Sequence, residues 1–195
     1  MLLDPFKRKI NYLRISVTDR CNLRCRYCMP EEGIPLISHD AILTYEEILR
    51  IVRVFAAEGI SKVRLTGGEP LVRKGIVDFI SRLSQIEQIK DLSLTTNGML
   101  LKEFAHDLKQ AGLKRINISL DSLKKDRFLQ ITRRDGFEQV WSGIEEVLRV
   151  GLSPIKINMV AIKGLNDDEI ESFARLTIHL PLTIRYIEYM PSGNG

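Results

Sequence analysis

Apolar and polar residues recur along this chain with two periods that take turns. Leu13-Arg-Ile-Ser-Val-Thr18 alternates with period two and predicts a strand. A long segment then runs to about Leu43. Thr44-Tyr-Glu-Glu47 has the form of a capping box and opens a predicted helix with Ile48, Ile51, Val52 and Phe55 on one face, stopped by Gly59. Further period-two runs fall at 62–66, 92–96, 115–120, 155–160 and 183–188. Helical spacing fills the intervals at about 75–84, 101–111, 137–150 and 167–178. Trp141 is expected to anchor the helix over 137–150 in the core, and Asn166 with Glu169 to cap the last helix.

Strands that alternate with helices predict parallel βα units and an α/β fold. One parity of each strand is apolar: Leu13/Ile15/Val17, Val63/Leu65, Leu92/Leu94, Ile116/Ile118/Leu120 and Ile155/Ile157. The other is polar: Arg14/Ser16/Thr18, Arg64/Thr66, Ser93/Thr95, Asn117/Ser119 and Lys156/Asn158. A parallel sheet covered by helices on both faces is apolar on both. The pattern therefore predicts an incomplete (β/α)6 barrel of TIM-like type, with outer helices and a wet, polar interior. Strand six is less regular, since Arg185 and Glu188 fall on opposite faces.

The 195 residues are 44% hydrophobic and 28% charged, which fits one domain over 1–195 with a sizeable core. No apolar run approaches the ~18 residues of a membrane span, and residues 1–10 lack the apolar stretch of a secretory leader. The net charge of +4 is mild and dispersed. It admits an anionic ligand without the basic stripe of a nucleic-acid binder. The only cysteines are Cys21, Cys25 and Cys28. An odd number crowded into one segment makes a poor disulfide framework, and points to a ligand cluster in the reducing cytoplasm.

The spacing Cys21-x3-Cys25-x2-Cys28, just after the first strand, suits an iron–sulfur cluster. Three thiolates hold three irons of a cubane and leave the fourth without a protein ligand, the open position that catalysis needs. The alternative is a zinc site completed by His39; no second cysteine pair exists to complete one. His106 and His179 are scattered and read as surface or structural residues. At the C-terminal end of strand two, Gly67-Gly68-Glu69-Pro70 allows close backbone approach, and Glu69 could accept from a ligand amine. The cysteines, Gly67-Gly68, Thr96-Asn97-Gly98 and Ser119-Leu120-Asp121 all follow C-terminal strand ends, where barrels build active sites. Arg14, Arg64, Lys156 and Arg185 occupy strand positions that predict a cavity lined by cations. Such charges need a neutralising anion, and arginine suits phosphate. Pairing of individual cations with Glu69, Asp121 or Glu188 is the alternative.

Taken together, these motifs resemble the radical S-adenosylmethionine (SAM) superfamily, with Tyr27 as the aromatic residue before the last cysteine. Within it, the segments at 13–30, 64–71, 94–98, 115–121, 163–167 and 185–190 are similar to the GTP 3',8-cyclase family, molybdenum cofactor biosynthesis protein A. The resemblance implies a 4Fe-4S cluster on Cys21, Cys25 and Cys28. It implies SAM near Tyr27, Gly67, Gly68, Glu69, Ser119 and Met190, and GTP against Arg14, Arg64, Thr95, Lys156 and Arg185. It further implies a lyase of molybdopterin biosynthesis in which reductive SAM cleavage yields a 5'-deoxyadenosyl radical. That radical removes the ribose 3' hydrogen of GTP, and C3' attacks C8 to give (8S)-3',8-cyclo-7,8-dihydroguanosine 5'-triphosphate. The implied partners are a flavodoxin- or ferredoxin-like electron donor, cyclic pyranopterin monophosphate synthase downstream, and a second copy in a homodimer. Family members are longer, and their C-terminal part carries three more cysteines for a second cluster that holds the guanine. This chain is therefore expected to be a truncated form. The alternatives are another radical SAM enzyme, such as a peptide-modifying one, or an inactive cluster- or zinc-binding fragment.

Overall fold

The computed structural model describes residues 2–190, apart from the His39 side chain; the chain-terminal Pro191-Ser-Gly-Asn-Gly195 lies outside the described residues. The elements in chain order are β1 (Tyr12–Ser16), α1 (Tyr45–Ala57), β2 (Lys62–Thr66), α2 (Ile76–Ser84), β3 (Asp91–Thr96), α3 (Leu101–Gln110) and β4 (Arg115–Ser119). They continue with α4 (Lys125–Thr132), α5 (Phe137–Arg149), β5 (Ile155–Ala161), α6 (Ile170–His179) and β6 (Leu182–Glu188). The strands form one parallel sheet in the order β1-β2-β3-β4-β5-β6. A doubly wound sheet reverses its order at a switch point. Here the order never reverses, so right-handed crossovers place every connecting helix on the same side.

That side is the core. Val63, Leu65, Leu92, Leu94, Ile116, Ile118, Ile155 and Ile157 are buried there against Leu49, Phe79, Ile80, Leu108, Val140, Ile144 and Phe173 from the helices. The opposite parity carries the predicted polar residues. Arg14 and Ser16 are exposed, and Arg64, Thr95, Ser119, Lys156 and Asn158 half-buried. Ser93 and Asn117 are buried. The barrel is open, as expected, with β1 and β6 as the edges of the sheet.

The Thr44 capping box forms: Thr44 Oγ1 accepts from the Glu47 amide at 3.2 Å, and the Thr44 amide donates to Glu47 Oε2 at 2.7 Å. Gly59, at φ +105°, ends the chain's first helix in the left-handed region.

Four local expectations need correction. Helix α1 buries Ile48, Leu49, Val52 and Ala56, leaving Ile51 and Phe55 outside beside Val54. Apolar residues cover most of this helix, so spacing alone does not select the buried stripe. Trp141 is only partly buried and stacks on Phe137 at the rim of the core. Asn166 and Glu169 stand at the N-cap positions of the 3-10 turn Asp167–Glu169 and of α6, but neither side chain makes a capping hydrogen bond. The Asn166 amide instead donates to Asp121 O and Val160 O, while Glu169 accepts from Ser122, Leu123 and Arg127. Finally, α4 was not anticipated, because it is short and buries only Phe128, Ile131 and Thr132.

Phe79 lies fully buried at the centre of the helix layer, stacked on Tyr45 with ring centroids 4.3 Å apart. Phe79→Ala is expected to lower the unfolding free energy by about 3–5 kcal/mol, the cost of an aromatic-sized cavity. Urea denaturation followed by circular dichroism checks this.

Candidate functional site

The loop that follows β1 carries the cysteines, and four neighbouring segments pin it. The first is the turn after β2. Its Gly68 and Glu69 amides donate to Thr18 O and Arg20 O, both at 2.7 Å. A Cβ on Gly67 would lie 2.6 Å from Thr18 O, and one on Gly68 would lie 2.3 Å from Arg20 O. The two glycines let the loops meet backbone to backbone.

The second is the C-terminal end of α4, where Ile131 O and Thr132 O accept from the Arg26 and Arg24 amides at 2.9 and 3.0 Å. Arg133, in the left-handed region at φ +55°, aims its guanidinium at Arg24 O and Met29 O. The third is Asn97 after β3, which donates to Asn22 Oδ1 at 2.7 Å and approaches Cys21 Sγ at 3.7 Å. The fourth is Asp121 after β4. It accepts the Tyr27 hydroxyl at 2.6 Å on one oxygen and the Val160 amide at 2.8 Å on the other.

Burial pushes the Cys25 thiol up to about 12, helped by the negative charge of Asp121 and by the other two cysteines. Burial also raises Cys21, against amide donation from Leu23. Three thiolates so placed repel one another, and a cationic centre among them removes that penalty. Among the described residues, no three His, Cys, Asp or Glu side chains gather closely enough for one metal ion. A cubane takes each sulfur at a different iron. The all-thiol donor set, its single loop and the amide donors to Cys21 fit such a cluster.

Glu69 is 1% exposed. Its oxygens accept from the Leu71 amide at 3.0 Å, the Thr96 hydroxyl at 2.7 Å and the Asn97 amide at 2.6 Å. Burial raises its pKa while these donors lower it. Both oxygens are thus engaged inside the protein, and Glu69 aligns the ends of β2 and β3.

On the polar face of the sheet, strand register lines up Arg14, Arg64, Ser93 and Arg115 across β1 to β4. Two residues further on come Thr95, Asn117, Lys156 and Thr183, and then Ser119, Asn158 and Arg185. Burial holds Lys156 below its ordinary pKa, and Arg185, Arg115 and Arg64 add to that shift. Burial lowers Arg64 as well, with Arg115, Arg185 and Arg14 contributing against Tyr12. The cations therefore share one space. Arg115, missed in the sequence, is held by Asp91 at 2.6 Å. Among the described residues no carboxylate pairs with Arg14, Arg64, Lys156 or Arg185; Glu69 and Asp121 bond elsewhere.

The radical SAM superfamily model matches residues 15–177. The chain belongs to the radical SAM superfamily. The cofactors of that superfamily are a 4Fe-4S cluster and SAM, which the cysteine loop suits. Two relatives are the GTP 3',8-cyclases of Alkaliphilus metalliredigens and Heliobacterium modesticaldum. The first is 58% identical over 192 residues, covering 98% of this chain and 60% of the relative. The second is 54% identical over 194 residues, covering 100% and 59%. The chain thus spans about 60% of the length of the curated relatives it matches.

Among solved structures, Streptococcus suis SuiB bound to S-adenosylmethionine is similar with TM-score 0.76 and 20% identity over 94% of this chain and 40% of that one. Native anSMEcpe with bound AdoMet gives 0.72 and 18% over 92% and 51%. These likenesses establish the shared radical SAM fold.

Of the residues singled out in the sequence, Cys21, Cys25, Cys28, Tyr27, Gly67, Gly68 and Glu69 meet around one loop, with Ser119 half-buried at the end of β4. Met190 lies beyond β6 and is 77% exposed, so packing does not fix it beside the cysteines. His106 and His179 are exposed. The anchors Asn97, Asp121 and Arg133 were not recognised as such, because their partners are distant in sequence. Glu69→Gln turns an amide NH2 toward one of the three donors that Glu69 now satisfies. It is expected to destabilise the protein by about 1–3 kcal/mol, the cost of an unsatisfied buried group, as a downward shift of the thermal midpoint will show.

Proposed function

We propose that this chain is the radical SAM core of a GTP 3',8-cyclase, acting in the first step of molybdenum cofactor biosynthesis. The observation that carries the reading is the set of cations beneath the cysteine loop. Arg14, Arg64, Lys156 and Arg185 face a common space without carboxylate partners. Like charges gathered there favour a polyanion, and a triphosphate supplies one. The identity to curated GTP 3',8-cyclases, 54–58% over essentially the whole chain, supports the same substrate.

In this reading Cys21, Cys25 and Cys28 hold the cluster, and Tyr27, Gly67, Gly68, Ser119 and Met190 surround SAM. When bound, these cofactors supply the hydrogen-abstracting 5'-deoxyadenosyl radical. The protein's part is orientation. Arg14, Arg64, Lys156 and Arg185 fix the phosphates on the sheet, and Thr95 offers a hydroxyl one strand away from Asn117. Glu69 and Asp121 hold the loops that set the distance between cysteines and sheet. The whole protein would take electrons from a flavodoxin- or ferredoxin-like donor and pass its product to cyclic pyranopterin monophosphate synthase, in the cytoplasm and as a homodimer. Among the described residues no helix is long and apolar enough to cross a membrane.

The test is 5'-deoxyadenosine formation by the anaerobically reconstituted, reduced protein with and without GTP. About four irons per chain and a rate that rises with GTP are expected. Cys25→Ser is expected to lose most of the iron. A product rate that ignores GTP overturns the substrate, and zinc in place of iron overturns the radical SAM role.

A further inference from the structure

Two buried groups of opposite polarity lack a partner on the polar face of the sheet. Arg64 Nε, on β2, is a donor without an acceptor among the described residues. Asn117 Oδ1, on β4, is an acceptor without a donor. Asn117 is only 1% exposed, and its amide nitrogen is already committed. That nitrogen donates to Leu94 O at 3.2 Å and lies 3.4 Å from Thr95 Oγ1. The commitment fixes which way the amide points. Flipping it would set Oδ1 against Leu94 O, two acceptors face to face. Asn117 therefore presents an oxygen, and a buried oxygen left unpaired costs stability.

What can pair with it is set by charge. A phosphate oxygen is an acceptor too and is repelled by Oδ1, so Asn117 needs an O–H or N–H. The Arg14–Arg64–Ser93–Arg115 row lies two residues, about 6.6 Å, nearer the N-terminal ends of the strands. It offers donors, and Arg64 Nε among them is still unused. Toward the cysteine loop the next row is Ser119, Asn158 and Arg185. The face thus sets the Arg14, Arg64 and Arg115 guanidinium groups in one row and the unpaired Asn117 acceptor, beside the Lys156 ammonium, one step closer to the cysteines. In a nucleotide, the groups one step from the phosphates are the sugar hydroxyls.

We infer that Asn117 is a substrate-binding residue whose Oδ1 accepts a hydrogen bond from a ribose hydroxyl, and that it sets the register of the nucleotide along the strands. This rests on the GTP reading above. Asn117 reads the sugar, while its strand neighbours Thr95 and Lys156 flank it in the same row.

The experiment is calorimetric binding of GTP, 2'-deoxy-GTP and 3'-deoxy-GTP to the anaerobically reconstituted protein. The same titrations are run on Asn117→Leu, close in shape but without the oxygen, and on Asn117→Ser, which withdraws the acceptor without adding bulk. A thermal melt establishes that each variant folds, and the comparison of nucleotides on the unaltered protein needs no variant. One deoxynucleotide is expected to bind the unaltered protein at least about tenfold more weakly than GTP, the penalty of a buried acceptor left unpaired. In the folded variants GTP is expected to weaken to the level of that analogue, so that the discrimination disappears. Equal binding of all three nucleotides to the unaltered protein overturns the inference and leaves the GTP reading standing. So does discrimination that persists in the variants, since another group then reads the hydroxyl. Failure of the unaltered protein to bind GTP overturns the substrate reading, and the inference with it.

Discussion

The strands of this sheet turn hydrocarbon to one side and polar groups to the other, with a cation on every strand except β3, and the fold is built around keeping those two environments apart. Arg14, Arg64, Arg115, Lys156 and Arg185 share the open face, where burial and the neighbouring cations lower the proton affinity of Arg64 and Lys156. The burial of Val63, Leu65, Leu94, Ile116, Ile118 and Ile157 under the helices opposes that repulsion by locking the strands in register. An apolar side chain shifted to the polar face would forfeit its burial, so the helix layer fixes where each cation stands. The unbroken order of the strands follows from the same constraint, because it keeps all crossovers off the charged face.

The cysteine loop is placed by other means. Its position is set by hydrogen bonds more than by side-chain packing: amides of the Gly68 turn, carbonyls at the end of α4, and polar side-chain contacts from Asn97, Asp121 and Arg133. Those anchors are themselves braced. Glu69 joins the ends of β2 and β3. Asn166 joins the ends of β4 and β5, and Glu169 with Arg127 ties the next turn to α4. Buried polar groups that satisfy one another in this way hold loops rigidly, because each broken link strands a partner in a low-dielectric interior.

Much of this was legible in the sequence, for reasons that differ by element. The strands fall within two residues of their expected bounds, since period-two alternation is a strong signal when only one face is covered. The capping box at Thr44 and the glycine stop at Gly59 are local and formed as read. The buried stripe of α1 was not decided locally, because apolar residues nearly encircle that helix and tertiary packing chose among them. Asn166 and Glu169 had the form of a cap but were drawn into long-range bonds to Asp121, Ser122 and Arg127. The cysteine motif and the glycine turn were visible as chemistry. That Glu69 is already saturated, and that Arg133 and Asn97 hold the loop, depends on contacts between residues far apart in the chain.

The two-faced strand also limits how this protein can change its length. Deleting one residue within β4 would turn Asn117 toward the helices and swing Ile116 or Ile118 into the company of the cations. Deleting two would restore the faces and move the whole polar row by one step. Insertions and deletions inside these strands are therefore tolerable only in even numbers, whereas the connections on the helix side carry no such parity. Among lineages of this fold, strand lengths should drift in twos and loop lengths freely, a reading frame imposed on the gene by the geometry of the pleat.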